Sequence, residues 1–190
     1  MAERFHPLSA RDAGMVGPLI RFPPEEPVVT ATPTTPEERL AAAGLELPPA
    51  PAPVAVYVPA VVSGHYVHTS GQLPMVDGAL PVTGKVGAEV GAEQAKELAR
   101  RCALNALAAV ASVAGDLSAV KRVVKVVGFV ASTPDFTGQP GVVNGASELL
   151  GTAFGDAGIH ARSAVGVAVL PLDAPVEVEI TVELHAPMGV

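Results

Sequence analysis

Cysteine and aromatic residues are scarce in this chain. A single cysteine, Cys102, among 190 residues excludes an internal disulfide and any zinc cage built from several thiolates. It fits a reducing compartment. Tryptophan is absent, and five Phe with two Tyr bring aromatics to only 4%, so Val, Ala and Leu must fill the core. Cations are also few: 12 Lys and Arg against 19 Asp and Glu give a net charge of -7 and a pI near 5.1. The densest basic pairs are Arg100-Arg101 and Lys121-Arg122, far short of the excess that neutralises phosphates in nucleic-acid binders. No nucleic-acid partner is expected. The most apolar stretch, Ala103 to Ala114, is broken by Asn105 and Ser112 and falls short of the ~20 residues a membrane helix needs. Met1 to Pro7 lack the apolar segment of a signal peptide. A soluble, cytoplasmic protein without membrane contact is the expectation.

Hydrophobic residues make up 49% and charged residues 16%, enough for a packed core of about one domain. Prolines are unevenly spread: 11 of 19 lie within the first 53 positions. Such density removes backbone donors and blocks regular elements, so 1–34 reads as a loosely ordered Pro-rich arm and 35–190 as a single domain. Thr35-Pro36-Glu37-Glu38 carries a capping Thr, a Pro at the first helical position and a Glu three residues after the cap. With Gly44 as a stop, it predicts a helix over 36–43.

From Val54 onward the pattern alternates between strands and helices. Residues 54–62 and 65–70 read as strands around a Ser63-Gly64 turn. A Gly/Pro-rich connection over 71–87 leads to a helix over 89–114, with Leu98, Cys102, Ala106, Ala109 and Val113 on one face. On that face Cys102 is a core residue, not a nucleophile. The β-branched run 120–131 suits a strand covered on both faces. A loop with Pro134 and Pro140, a helix over 142–154, and strands over 162–170 and 176–185 complete the order. The expectation is an α/β (α+β) mixed sheet with two helices on one face.

The last strand alternates Val176, Val178, Ile180, Val182 and Leu184 with Glu177, Glu179, Thr181, Glu183 and His185. Its acidic side is either a solvated face or the lining of a site or subunit interface where a Glu acts as base or holds a water. In the strand before it, Arg162 shares a side with Ala164, Gly166 and Ala168. Small neighbours around a planar five-donor cation suit a carboxylate ligand; an Arg packed against a nearby Glu is the equal alternative. His65, His68 and His160 have no metal-ligand spacing, and no metal is expected.

Three segments in order, His68-Thr69-Ser70-Gly71-Gln72-Leu73-Pro74, His160-Ala161-Arg162-Ser163-Ala164-Val165 continuing to Leu170-Pro171, and Val176-Glu177-Val178-Glu179-Ile180, resemble the motifs of the Rid family of reactive-intermediate deaminases, also known as YjgF or L-PSP proteins. The resemblance covers about Pro53 to Ala186. It implies a chorismate-mutase-like (YjgF-like) fold, a homotrimer with sites between subunits, and cofactor-independent hydrolysis of enamines and imines such as 2-aminoacrylate to 2-oxo acids and ammonia. Carried over by residue, it implies that Arg162 grips the substrate carboxylate and that Glu177 orients the attacking water. Tyr57, Ser70, Gly71 and Asn144 would line the site, and Ala164 would act through its carbonyl. The chain departs from the family at Ala55-Val56-Tyr57 (usually Gly-Pro-Tyr), at Pro59, at Ala164 (commonly Cys) and in a longer 133–142 loop, marks of a divergent subgroup. Two other functions stand beside deamination: a non-catalytic trimer binding metabolite carboxylates and, disfavoured by the acidic composition, an endoribonuclease.

Overall fold

In the computed structural model, the described residues are 34–50 and 56–187. Most of the expected N-terminal arm, with Val54 and Ala55, lies outside them. The elements are α1 (Pro36–Ala42), β1 (Ala60–Ser63), β2 (Tyr66–Thr69), α2 (Ala92–Ala114), β3 (Val120–Ala131), α3 (Gln139–Phe154), β4 (Ala161–Val167) and β5 (Val176–Leu184). One five-stranded sheet runs in the order β1-β2-β5-β3-β4. Only β3 and β4 are parallel, joined through α3; every other pair is antiparallel. This is the mixed, YjgF-like sheet expected.

The helix-start signal works as written. Thr35 accepts from the Glu38 backbone N–H at 3.1 Å, and the Glu38 carboxylate returns to the Thr35 N–H at 3.1 Å. The backbone N–H of Thr34 first, and that of Thr35 second, lower the Glu38 carboxyl below its ordinary value. Leu40, on the buried side of α1, enters the core. In α2 the buried face is broader than the single stripe expected, because the sheet and α3 both pack on it. Cys102 is fully buried; its thiol lies 3.6 Å from the Val176 carbonyl, and burial pushes it well above the usual thiol range.

Several boundaries differ from the sequence expectation. The first strand starts at Ala60, since Pro59 has no N–H and the Val58 and Pro59 carbonyls are instead taken by Ser70. The long helix starts at Ala92, because Glu89 folds back to accept from the Lys85 N–H at 2.9 Å. The helix expected at 142 starts at Gln139, with Pro140 in its first turn, where a missing N–H costs nothing. β4 stops at Val167 because its partner β3 ends at Ala131.

Within the protomer only one face of β3 is covered by helices, not both as expected. Lys121 and Val124 are extra residues at two register shifts against β5, so the inward set runs Val120, Val123, Val126, Gly128, Val130. Arg122, Lys125, Val127 and Phe129 point to the side away from the helices and are partly or fully exposed. Gly128 is where α3 comes closest: a Cβ there would stand 2.7 Å from Val143 Cγ1. Among the described residues no helix is long and apolar enough to cross a membrane.

Candidate active site

Arg162 sits on β4, on the face covered by helices. Its Nη1 donates to Asn144 Oδ1 at 2.8 Å and Ser147 Oγ at 3.0 Å, and its Nη2 donates to the Pro140 carbonyl at 3.2 Å. All three acceptors belong to α3, at a spacing of four and three that lines one helix face. A guanidinium has five N–H donors, so these bonds leave the Nε–H and one Nη2–H without a partner among the described residues. Among the described residues no Glu forms a salt bridge with Arg162, and acceptors from α3 orient it. His160 extends the cluster, with Nε2 3.0 Å from Ser147 Oγ and Nδ1 2.6 Å from the Gly158 carbonyl. An open hollow of about 320 Å³ lies alongside, lined by Ser147, Gly151, Gly158, Ile159, His160 and Arg162.

Glu177 belongs to a different cluster. Val176 and Val178 are buried towards the helices, so Glu177 between them faces the opposite side of the sheet. Its side chain lies directly over Gly71, where an added Cβ would fall 2.6 Å from the Glu177 Cδ. Gln72, buried, ties this segment to β5 through two backbone bonds with Val178, at 2.8 and 3.0 Å. Burial raises the Glu177 carboxyl above its ordinary value, and the Glu179 charge adds to the shift. Ser70 is committed to the backbone: its hydroxyl donates to the Val58 carbonyl at 2.7 Å, anchoring the segment that presents an exposed Tyr57.

The candidate residues therefore form two groups. Arg162, Asn144 and Ala164 share the helix side, and Glu177, Gly71, Ser70 and Tyr57 gather around the β2–β5 end. On β3, Arg162 pairs with Val126 and Glu177 with Phe129. That offset of three positions is about 10 Å along the strands, with a change of face besides. A single cleft holding both within one protomer does not exist. Ala164 is partly buried against the core, a setting that suits a backbone role. Ser147, His160 and the Pro140 carbonyl were missed in the sequence; only the Asn144-to-Ser147 spacing of three on a helix hints at Ser147. Asn105, read only as a break in an apolar run, is buried, and its Nδ2 holds the Leu73 and Met75 carbonyls at 2.9 and 3.2 Å. It thereby pins the connection that follows Gly71. No group of three or more His, Cys, Asp or Glu suited to a metal ion occurs among the described residues.

The family model described as "YjgF/chorismate_mutase-like, putative endoribonuclease" matches residues 37–184. The chain belongs to this YjgF, or Rid, family. Protein TCP17 of Trypanosoma cruzi is 48% identical over 143 residues, 75% of this chain and 89% of that protein. The 2-iminobutanoate/2-iminopropanoate deaminase of Escherichia coli K12 is 36% identical over 130 residues, 68% of this chain and 88% of that enzyme. A crystal structure of a protein of unknown function from Agrobacterium tumefaciens, 48% identical, superposes with a TM-score of 0.74 over 78% of this chain and 92% of that one. Both clusters above lie inside the segment that the family model covers.

Proposed function

We propose that this Rid-family chain hydrolyses reactive enamines and imines that carry a carboxylate, 2-aminoacrylate among them, to 2-oxo acids and ammonia, as a cytoplasmic homotrimer without a cofactor. The observation that carries the reading is the Arg162 guanidinium. Three α3 acceptors fix its plane, and two donors remain to meet the two oxygens of a carboxylate.

An imine carbon beside that carboxylate is already electrophilic, so the site has only to place a water. Water adds to the imine carbon while the carboxylate of Glu177 takes one of its protons. That proton then passes to the nitrogen, the hydroxyl of the adduct yields its own proton to the nitrogen by way of the same carboxylate, and C–N cleavage releases ammonia and leaves the carbonyl of the 2-oxo acid. The upward shift of the Glu177 carboxyl caused by burial makes it a stronger base than an exposed glutamate. Because Arg162 and Glu177 face opposite sides of the sheet, the reading requires Arg162 of one subunit to meet Glu177 of another. Apolar Val127, Phe129 and Val165, left partly or fully exposed on the outer sheet face, favour such an assembly.

The separation of Arg162 from Glu177 within the protomer favours, as a second reading, a trimer that binds metabolite carboxylates without turnover. The experiment generates 2-aminoacrylate in situ with a serine dehydratase and follows its decay with no added protein, wild type, Arg162→Ala and Glu177→Ala. Deamination predicts faster decay with wild type alone. Wild type matching the blank removes the catalytic reading, and binding of pyruvate would then support the second.

A further inference from the structure

The hydrogen bonds behind Arg162 run in one direction only. The Gly158 carbonyl can only accept, so His160 Nδ1, 2.6 Å away, carries the proton. In the neutral form of the ring Nε2 is bare, and the Ser147 hydroxyl 3.0 Å away donates to it. With its proton spent there, Ser147 Oγ presents lone pairs to Arg162 Nη1 at 3.0 Å. Asn144 Oδ1 takes the other Nη1 proton. Ser147 is thus held as an acceptor, the role a cation needs, by a histidine 13 positions away on another segment.

We propose that Ser147 and His160 are positioning residues that orient Arg162, acting as a relay from the Gly158 carbonyl through His160 and Ser147 to the guanidinium. The proposal rests on the carboxylate-gripping role of Arg162. Without the relay, Nη1 keeps one acceptor, the guanidinium rotates more freely about its bonds, and the two donors reserved for the carboxylate lose their fixed plane. The substrate side then loses affinity while the chemistry at Glu177 is untouched, so the defect falls on KM more than on kcat.

The test uses pyruvate as a non-reactive carboxylate probe, titrated against full-length wild type, Arg162→Ala, Ser147→Ala and His160→Phe. The same proteins are compared by 15N NMR of the arginine side chains, with Arg162→Lys identifying the Arg162 signals. Weakening of pyruvate binding by about five- to tenfold is expected for Ser147→Ala and His160→Phe, the size of one ordinary hydrogen bond, because the lost bond acts on the guanidinium and not on the ligand itself. The separately resolved Nη signals of Arg162 should merge as rotation is freed. Binding within twofold of wild type would overturn the proposal. So would weakened binding with the Arg162 signals unchanged, since the loss would not run through the guanidinium. If Ser147→Ala does not fold, His160→Phe breaks the same relay from its other end. If instead Arg162→Ala binds pyruvate as tightly as wild type, the carboxylate role of Arg162 fails, and the NMR comparison alone decides the relay.

Discussion

Arg162 and Glu177 point to opposite faces of one sheet, three residue positions apart as measured along β3. Each is prepared by its own surroundings: Arg162 by acceptors on α3, Glu177 by the bare backbone of Gly71 and by partial burial. A protomer carries two separate clusters of candidate residues, and the function proposed here needs an assembly to join them.

Gly71 is the sharpest test of the Glu177 half. A Cβ at this position would lie 2.6 and 2.9 Å from the Glu177 Cδ and Cγ, too close for the carboxylate to keep its place. Gly71→Ala is expected to reduce deamination at least tenfold and to leave pyruvate binding at Arg162 within twofold. Kinetics and titration on the same preparation check this. The overpacking should cost about 1–3 kcal/mol of stability.

Local rules of sequence were legible where chemistry and backbone sit side by side. The capping box at Thr35 and Glu38 fixed the start of α1, and the β-branched run fixed both ends of β3. The alternation along β4 and β5 correctly sorted Arg162 from Ser163 and Glu177 from Val178. The relation between those two strands was not legible, because alternation gives faces within a strand and says nothing of how one strand's faces match another's. Sheet register decides that, and β3 contains two extra residues that no periodicity announces. The pairing of Ser147 with His160 was hidden for a similar reason: only the return of β4 beside α3 brings them together. Pro140 misled because a helix tolerates proline in its first turn.

Glu177 has a pH signature of known sign. Its carboxyl is raised above the ordinary value of 4.5, by burial first and by Glu179 second. The folded chain therefore holds that proton more tightly than the unfolded chain, a stabilising contribution present below the ordinary value and lost as pH rises through the raised one. At neutral pH the ionised carboxylate is a net cost that glutamine removes. Glu177→Gln is expected to melt at or above wild type at pH 7–8, with the advantage vanishing below about pH 4, while deamination is lost. Thermal melts across pH check the first part. In wild type, the acid limb of the rate profile should lie above 4.5.

Asn105 pins the connection that follows Gly71. Replacing it with alanine removes the amide donor from the Leu73 and Met75 carbonyls, which keep the Met75 N–H at 2.8 Å and the Arg101 Nε–H at 2.9 Å. Two hydrogen bonds lost with neither carbonyl left unpaired cost about 1–3 kcal/mol together. A urea-denaturation midpoint lowered by that loss divided by the slope is expected, with the slope itself unchanged.

The most direct test of the central claim mixes two inactive proteins. Arg162→Ala subunits keep Glu177, and Glu177→Gln subunits keep Arg162. If each site takes Arg162 from one subunit and Glu177 from its neighbour, random reassembly of equal amounts restores both groups in about a quarter of the sites. We predict that the mixture, after subunit exchange, recovers about a quarter of wild-type 2-aminoacrylate deamination. A mixture as inactive as either parent, with exchange verified by native mass spectrometry, would contradict the account.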